Sequence, residues 1–227
     1  MQLWLLDPAG LSDPEAYARA HDMLSPAEVA RASRFLREAD RHNFLGGRLL
    51  ARTALGALLS ESPRTLDFVL GPHGKPALGT ERERRVAFNV SHTRGLVACA
   101  VTSVGDIGVD VEVVRSAPLD VAVRFFAPPE IETLRLAPSD EQADTFCRIW
   151  TLKEAFVKAC GGGLSMGLNA FAVGLTPPAM LRFGAMGDDA AGWHFTLMSP
   201  TAAHRLAICV SGTPSEPPDV VTRWLTL

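Results

Sequence analysis

The sequence predicts an α+β fold made of two pseudo-symmetric halves, each a long helix packed on a small, mainly antiparallel sheet. Three observations predict it. A long helical stretch occurs in each half, at 24–59 and at 140–163. Each is followed by a glycine-rich turn and then by short apolar runs of strand length. And 47% hydrophobic with 21% charged residues is ample for packed cores without the bias of a disordered chain. The 227 residues allow two units of about a hundred each. The division is expected near 103–106, giving an N-terminal half 1–105 and a C-terminal half 106–227.

MQLWLLDPAG, at the start, has no basic n-region, and its apolar stretch is too short for a signal peptide. LSPAEVARASRFLREADRHNFLGGRLLARTALGALL (24–59) reads as a helix pair. Ser25, Pro26 and Glu28 form a helix start: N-cap, first-turn proline and an N3 glutamate that can reach back. Arginines at 31, 34, 37, 41, 48 and 52 fall on neighbouring helical faces. They are either a solvated basic face or an anion site. GPHGKPAL (71–78) is a turn-rich loop whose backbone N–H groups, with Lys75, would suit an anion. VAFNVS (86–91) and LVACAVT (96–102) flank the turn HTRG, a hairpin pattern. SVGD then leads into IGVDVEVV (107–114), read as the third strand of a meander, which would bring Ser91 and His92 toward it.

In IGVDVE, side chains alternate between faces. Ile107, Val109 and Val111 share a face that looks buried; Gly108, Asp110 and Glu112 share the other. Two like charges so close belong on an open, solvated edge or around a cation, beside a glycine that leaves room. RFFAPPEIETLRL (124–136) reads as a short helix after two prolines. DEQADTFCRIWTLKEAFVKACGGG (140–163) is a helix stopped by three glycines. On it, Thr151, Glu154 and Lys158 form one stripe, and Ile149, Leu152 and Phe156 form an apolar stripe elsewhere. Glu154 and Lys158 are either a surface i,i+4 pair or, with Asp110 and Glu112, part of a cage for a hard cation. NAFAVGL, GWHFTLMS and HRLAICVS read as strands, and TPSEPPDVVT as a loop with a frayed end.

Several classes are set aside. A net charge of −3 argues against a general nucleic-acid binder. No apolar run reaches the roughly 20 residues of a membrane span. Cys99, Cys147, Cys160 and Cys209 show no metal spacing and read as core residues of a reducing, cytoplasmic compartment. Ser91 and His92 are neighbours on an extended strand and point apart, so they do not make a hydrolase dyad. His92 is a core or turn histidine, or a phosphate contact. No Walker motif, GxGxxG or HExxH is present. Residues 1–105 carry 13 basic and 11 acidic groups; residues 106–227 carry 9 and 14. An anion is therefore expected on the first half and a metal cation on the second.

GPHGKP, FNVSHT, IGVDVE and WTLKEAFVK, in this order and followed by GGGLSMGLNAF, resemble the Sfp-type 4'-phosphopantetheinyl transferases. The resemblance covers nearly the whole chain. It implies the fold of that family and transfer of the 4'-phosphopantetheine arm of coenzyme A to a serine of an apo acyl or peptidyl carrier protein. Adenosine 3',5'-bisphosphate would be released, with Mg²⁺ required. It implies Asp110, Glu112 and Glu154 as metal ligands, and Glu154, Lys158, Asp110 and His92 as catalytic. Arg31, Arg48, Gly74, Lys75, Pro76, Ser91, His92 and Lys158 would bind coenzyme A, with Arg31 at its 3'-phosphate. Glu28 departs from the pattern, standing where some relatives have a base, and Thr93 closes a motif that relatives close with serine. Glu130 stands where relatives often carry an acid near the metal and is expected as a supporting or alternative ligand. The competing readings are a Mg²⁺-dependent nucleotide phosphodiesterase or pyrophosphatase and a non-catalytic binding module. An apolar groove with arginines such as Arg124 or Arg135 is expected to dock the carrier. Two half-sites in one chain imply a monomer.

Overall fold

The structure, a computed structural model, describes residues 1–70, 76–79, 86–161, 166–183, 192–212 and 218–227. The chain divides into two units, Met1–Ser103 with Asp219–Leu227, and Val104–Pro218. The expected halves, 1–105 and 106–227, differ from this in two respects: the division falls between Ser103 and Val104, and 219–227 belongs with the first unit. Its Val221–Trp224 is a strand, β11, not a frayed loop, and it pairs in parallel with β1, Gln2–Leu6.

In the first unit, β1 is held between β11 and β5, Leu96–Thr102, and β5 continues to β4, Ala87–Thr93, so the order is β11-β1-β5-β4. Leu3, Leu5 and Leu6 bury this N-terminal strand. The β4–β5 hairpin turns at Gly95, whose φ of 84° is accessible to glycine at low cost. Helices α1, Pro14–His21, and α2, Pro26–Ala32, start at capped prolines. At α2 the capping box forms as expected: Glu28 N donates to Ser25 Oγ at 3.3 Å, and Ser25 N to Glu28 Oε2 at 2.9 Å. Helix α3, Glu38–Leu59, packs Leu50, Ala54 and Leu55 with Val97, Cys99 and Val101 of β5. A short ribbon, β2 (Phe68–Leu70) with β3 (Pro76–Leu78), follows α3.

The second unit repeats this order of elements. It opens on β6, Ile107–Val113, then runs through α4 (Leu119–Phe125), α5 (Pro128–Leu136) and α6 (Gln142–Cys160). The ribbon β7 (Phe171–Leu175) with β8 (Pro178–Phe183) follows, then β9 (Trp193–Met198) and β10 (His204–Ser211). Its sheet order, β6-β10-β9, matches β1-β5-β4 of the first unit: the opening strand pairs with the last, and the last with the one before it. The expected meander is therefore corrected. β6 is not the third strand of the β4–β5 hairpin but opens a new sheet, antiparallel to β10. Helix α6 lies on that sheet, with Ile149, Leu152 and Phe156 in a core shared with Phe171, Phe195, Ala207 and Cys209. It ends at Gly161 in the left-handed conformation, φ 66°. Among the described residues no helix is long and apolar enough to cross a membrane.

Candidate active site

The strand IGVDVE positions the site, and both of its faces are buried. Ile107, Val109 and Val111 are inaccessible to solvent, as expected of an apolar face. The Gly108, Asp110, Glu112 face is not an open edge: α6 lies directly on it. A Cβ at Gly108 would stand 2.0 Å from Ala155 O and 2.5 Å from Ala159 N, distances no side chain tolerates. The room left by this glycine is filled by helix backbone. Strand and helix then meet in antiparallel sense. Gly108 meets Ala155 and Ala159, Asp110 meets Lys158, and Val113 O lies 3.8 Å from Cys147 Sγ.

Asp110 is buried, and Lys158 Nζ donates to its Oδ1 at 2.6 Å and to Val109 O at 3.3 Å. Glu154, one turn earlier on the same stripe, is half-buried. Burial pushes its carboxyl above the usual glutamate range, the negative charge of Asp110 pushes it further, and Lys158 pulls it back. Glu154 also lines a cleft of about 250 Å³ with Arg124, Phe125, Val157, Met166 and Leu168. Asp110, Glu154 and Lys158 thus form one cluster. Glu112 follows Asp110 on the same strand face but lies farther along the helix, toward Cys147. There its charge and that of Asp144 add to burial in raising the Cys147 thiol to about 11. Among the described residues no three acidic, histidine or cysteine side chains are gathered in a group that could hold a metal. What is gathered still fits a hard cation: oxygen donors from Asp110 and Glu154 whose charges oppose each other.

Both Glu130 oxygens are engaged within the protein. They accept from Lys153 Nζ at 2.6 and 2.7 Å, from Ala127 N at 2.7 Å and from Val173 N at 2.8 Å, and neither Glu130 nor Lys153 is exposed to solvent. Burial raises the Glu130 carboxyl and lowers the Lys153 amine, each opposed by the other's charge. Lys153 went unnoticed in the sequence, although it left a signal. It stands four residues after Ile149 and three before Phe156, on the apolar stripe of α6, where a lysine requires a buried counter-charge.

In the first unit, Arg31 and Arg48 share one aromatic ring: their guanidinium carbons lie 5.5 and 5.4 Å from the centre of Phe44. Arg48 also lies over Phe68, at 5.5 Å. Glu28 is buried beneath them. Its Oε2 accepts from Arg52 Nη2 at 2.7 Å and Nε at 3.1 Å, and its Oε1 faces Arg48 Nε at 3.6 Å. The acid at 28 is therefore a helix cap and a counter-ion for the fully buried Arg52. Burial first, then the charges of Arg31 and Arg52, lower the Arg48 guanidinium, while Glu28 raises it. Ser91 and His92 sit side by side on β4, Ser91 buried and His92 exposed, so they face apart as expected. Pro76 opens β3 opposite Leu70. Gly74 and Lys75 lie outside the described residues.

Comparisons with known proteins bear on both units. Residues 106–209 match the family described as the 4'-phosphopantetheinyl transferase superfamily, and residues 12–104 match 4'-phosphopantetheinyl transferase, N-terminal. The 4'-phosphopantetheinyl transferase HetI of Nostoc sp. is 37% identical over 86% of this chain and 81% of its own length. Sfp of Bacillus subtilis is 29% identical over 91% and 90%. The Synechocystis protein slr0495, which bears the same family name, is 41% identical over 65% of this chain; the match spans 61% of that relative, less than two thirds of its length. Among solved structures, the Thermotoga maritima holo-acyl-carrier-protein synthase superposes with TM-score 0.40 and 20% identity, covering 49% of this chain and 65% of that one.

Proposed function

The chain belongs to a family of enzymes, the 4'-phosphopantetheinyl transferases, and on that premise we propose that it loads apo carrier proteins. The serine hydroxyl of an acyl or peptidyl carrier attacks the pantetheine-bearing phosphorus of coenzyme A. A serine O–P bond forms, the pyrophosphate P–O bond breaks, and adenosine 3',5'-bisphosphate leaves with the bridging oxygen. The observation that carries this reading is the cluster of Asp110, Glu154 and Lys158 on β6 and α6, inside the residues that match the family.

Glu154 takes the serine proton, its carboxylate standing in the cleft one turn before Lys158. The ammonium of Lys158, on Asp110, faces the charge that builds on the leaving phosphate. Asp110 and Glu154, with Glu112 next along the strand, would hold Mg²⁺, which would neutralise pyrophosphate charge when bound. Arg31 and Arg48, stacked on Phe44, take the 3'-phosphate. Gly74, Lys75 and Pro76 with Ser91 and His92 take the remaining phosphates. These assignments make the first unit the nucleotide-binding half and the second the metal-binding, catalytic half.

The test is intact-mass spectrometry of an apo carrier mixed with the protein, coenzyme A and Mg²⁺. Addition of one phosphopantetheine arm, lost with EDTA and with Glu154→Gln, is expected. Hydrolysis of coenzyme A with no mass added to any of several carriers would overturn transfer in favour of a phosphodiesterase.

A further inference from the structure

We propose that the buried Lys153–Glu130 pair is a positioning element for the acceptor side of the reaction: it sets the walls of the cleft in which Glu154 stands. The inference rests on the transferase reading above. Lys153 directly precedes Glu154 on α6. Its Nζ reaches both oxygens of Glu130 and the Phe171 carbonyl at 2.7 Å, and it lies 4.3 Å from the centre of the Phe171 ring. A lysine ammonium has three donors, and this one has three acceptors. Glu130 in turn takes Ala127 N and Val173 N.

The pair therefore ties three segments at one point: the start of α5, the start of β7 and the middle of α6. Each of these runs directly into a wall of the cleft. Arg124 and Phe125 come just before Ala127; Met166, Leu168 and Asn169 come just before Phe171; Glu154 and Val157 lie on α6 itself.

A buried ion pair is a poor way to gain stability, because desolvating two charges offsets their attraction, and apolar residues of similar size hold segments together as well. What it adds is direction. Three short hydrogen bonds fix the register of α6 against α5 and β7, where apolar contacts would allow sliding. Glu154 lies about 100° round the helix from Lys153, so the pair does not touch the reacting atoms. It acts on them through the backbone between the two residues.

The experiment compares the parent with the double variant E130Q/K153M, which removes both charges and leaves no buried charge alone. Melting temperature and KM for coenzyme A are expected to stay near the parent's. The kcat/KM for an apo carrier is expected to fall about 100-fold, the scale of an ångström-sized misplacement of a catalytic group. A folded double variant with parent-like carrier kinetics would overturn the proposal and leave the pair a packing device. If the double variant does not fold, Glu130→Asp withdraws the carboxylate by one methylene and keeps both charges. The same selective loss against the carrier is expected, and parent-like kinetics there also overturn it. A parent protein that transfers nothing to any carrier sinks the transferase reading itself, before any variant is made.

Discussion

Lys158 donates to Asp110 at 2.6 Å across 48 residues of sequence, and the pair is made where α6 presses its backbone onto Gly108. A long cation and a short buried anion meet because a glycine two residues away removes the Cβ that would hold the helix off. The charge arrangement of the site is thus a consequence of packing.

Gly108→Ala is expected to cost at least 1–3 kcal/mol, the scale of overpacking a tight core, since the new methyl meets helix backbone and not a side chain that can turn aside. Urea denaturation followed by circular dichroism measures it. A variant as stable as the parent would mean that α6 does not lie on β6 in this way.

Glu154→Gln is expected to abolish most activity, by about 10²–10⁴-fold if Glu154 is the base, while making the metal-free protein more stable at neutral pH. The sign follows from the direction of the shift. The folded carboxyl is raised above its ordinary value of 4.5, so the protonated form is favoured by folding. Its contribution to stability is present below that value and is lost as pH rises through the raised one. Parent and variant should therefore melt together in acid and diverge toward neutral pH, with the variant higher. Mg²⁺ should raise the melting temperature of the parent more than that of the variant. A variant less stable than the parent at neutral pH in EDTA would contradict the cluster.

Arg31→Ala should raise KM for coenzyme A by roughly 10–100-fold, the value of a charge-assisted contact to phosphate, with little change in kcat. Against 3'-dephospho-coenzyme A the parent and the variant should behave alike. An equal penalty with both donors would place Arg31 elsewhere in the reaction.

Thiol labelling distinguishes the cysteines. Cys147 lines a groove of about 300 Å³ with Glu112 and Trp150, yet its thiol is raised to about 11, and Cys99 and Cys209 are buried, with burial pushing both thiols up. At pH 8, iodoacetamide should modify the partly exposed Cys160 first, because the thiolate is the reactive form. Peptide mass mapping with Cys147 ahead of Cys160 would contradict this.

The parts of the fold governed by local rules were legible in the sequence. The Ser25–Glu28 capping box, the hairpin at Gly95 and the end of α6 at Gly161 all depend on neighbours a few residues away. What pairs with what over long distances was not. The meander reading of β6 followed chain order, whereas β10, nearly a hundred residues on, is its partner. Periodicity also showed Gly108, Asp110 and Glu112 as one face, but could not show that a helix backbone covers it. Asp110, Glu154 and Lys158 were recognisable as one set, both from spacing and from resemblance. Lys153 is not legible from its own helix, because a buried lysine is recognised only through its partner, Glu130, on another helix. By charge alone the acid at 28 opposes an anion site; its burial against Arg52 gives it a structural duty that composition does not reveal.

The pairing of β11 with β1 bears on the order in which the molecule is assembled during synthesis. The whole of 104–218 emerges between the two strands that adjoin in the first sheet. Until Val221–Trp224 has been made, one edge of β1 offers unmatched backbone N–H and C=O groups, an invitation to pairing with other chains. The second unit needs no such wait, because all of its strands lie within one continuous stretch of chain. It is therefore expected to mature first on the ribosome, and the first unit to be sealed last.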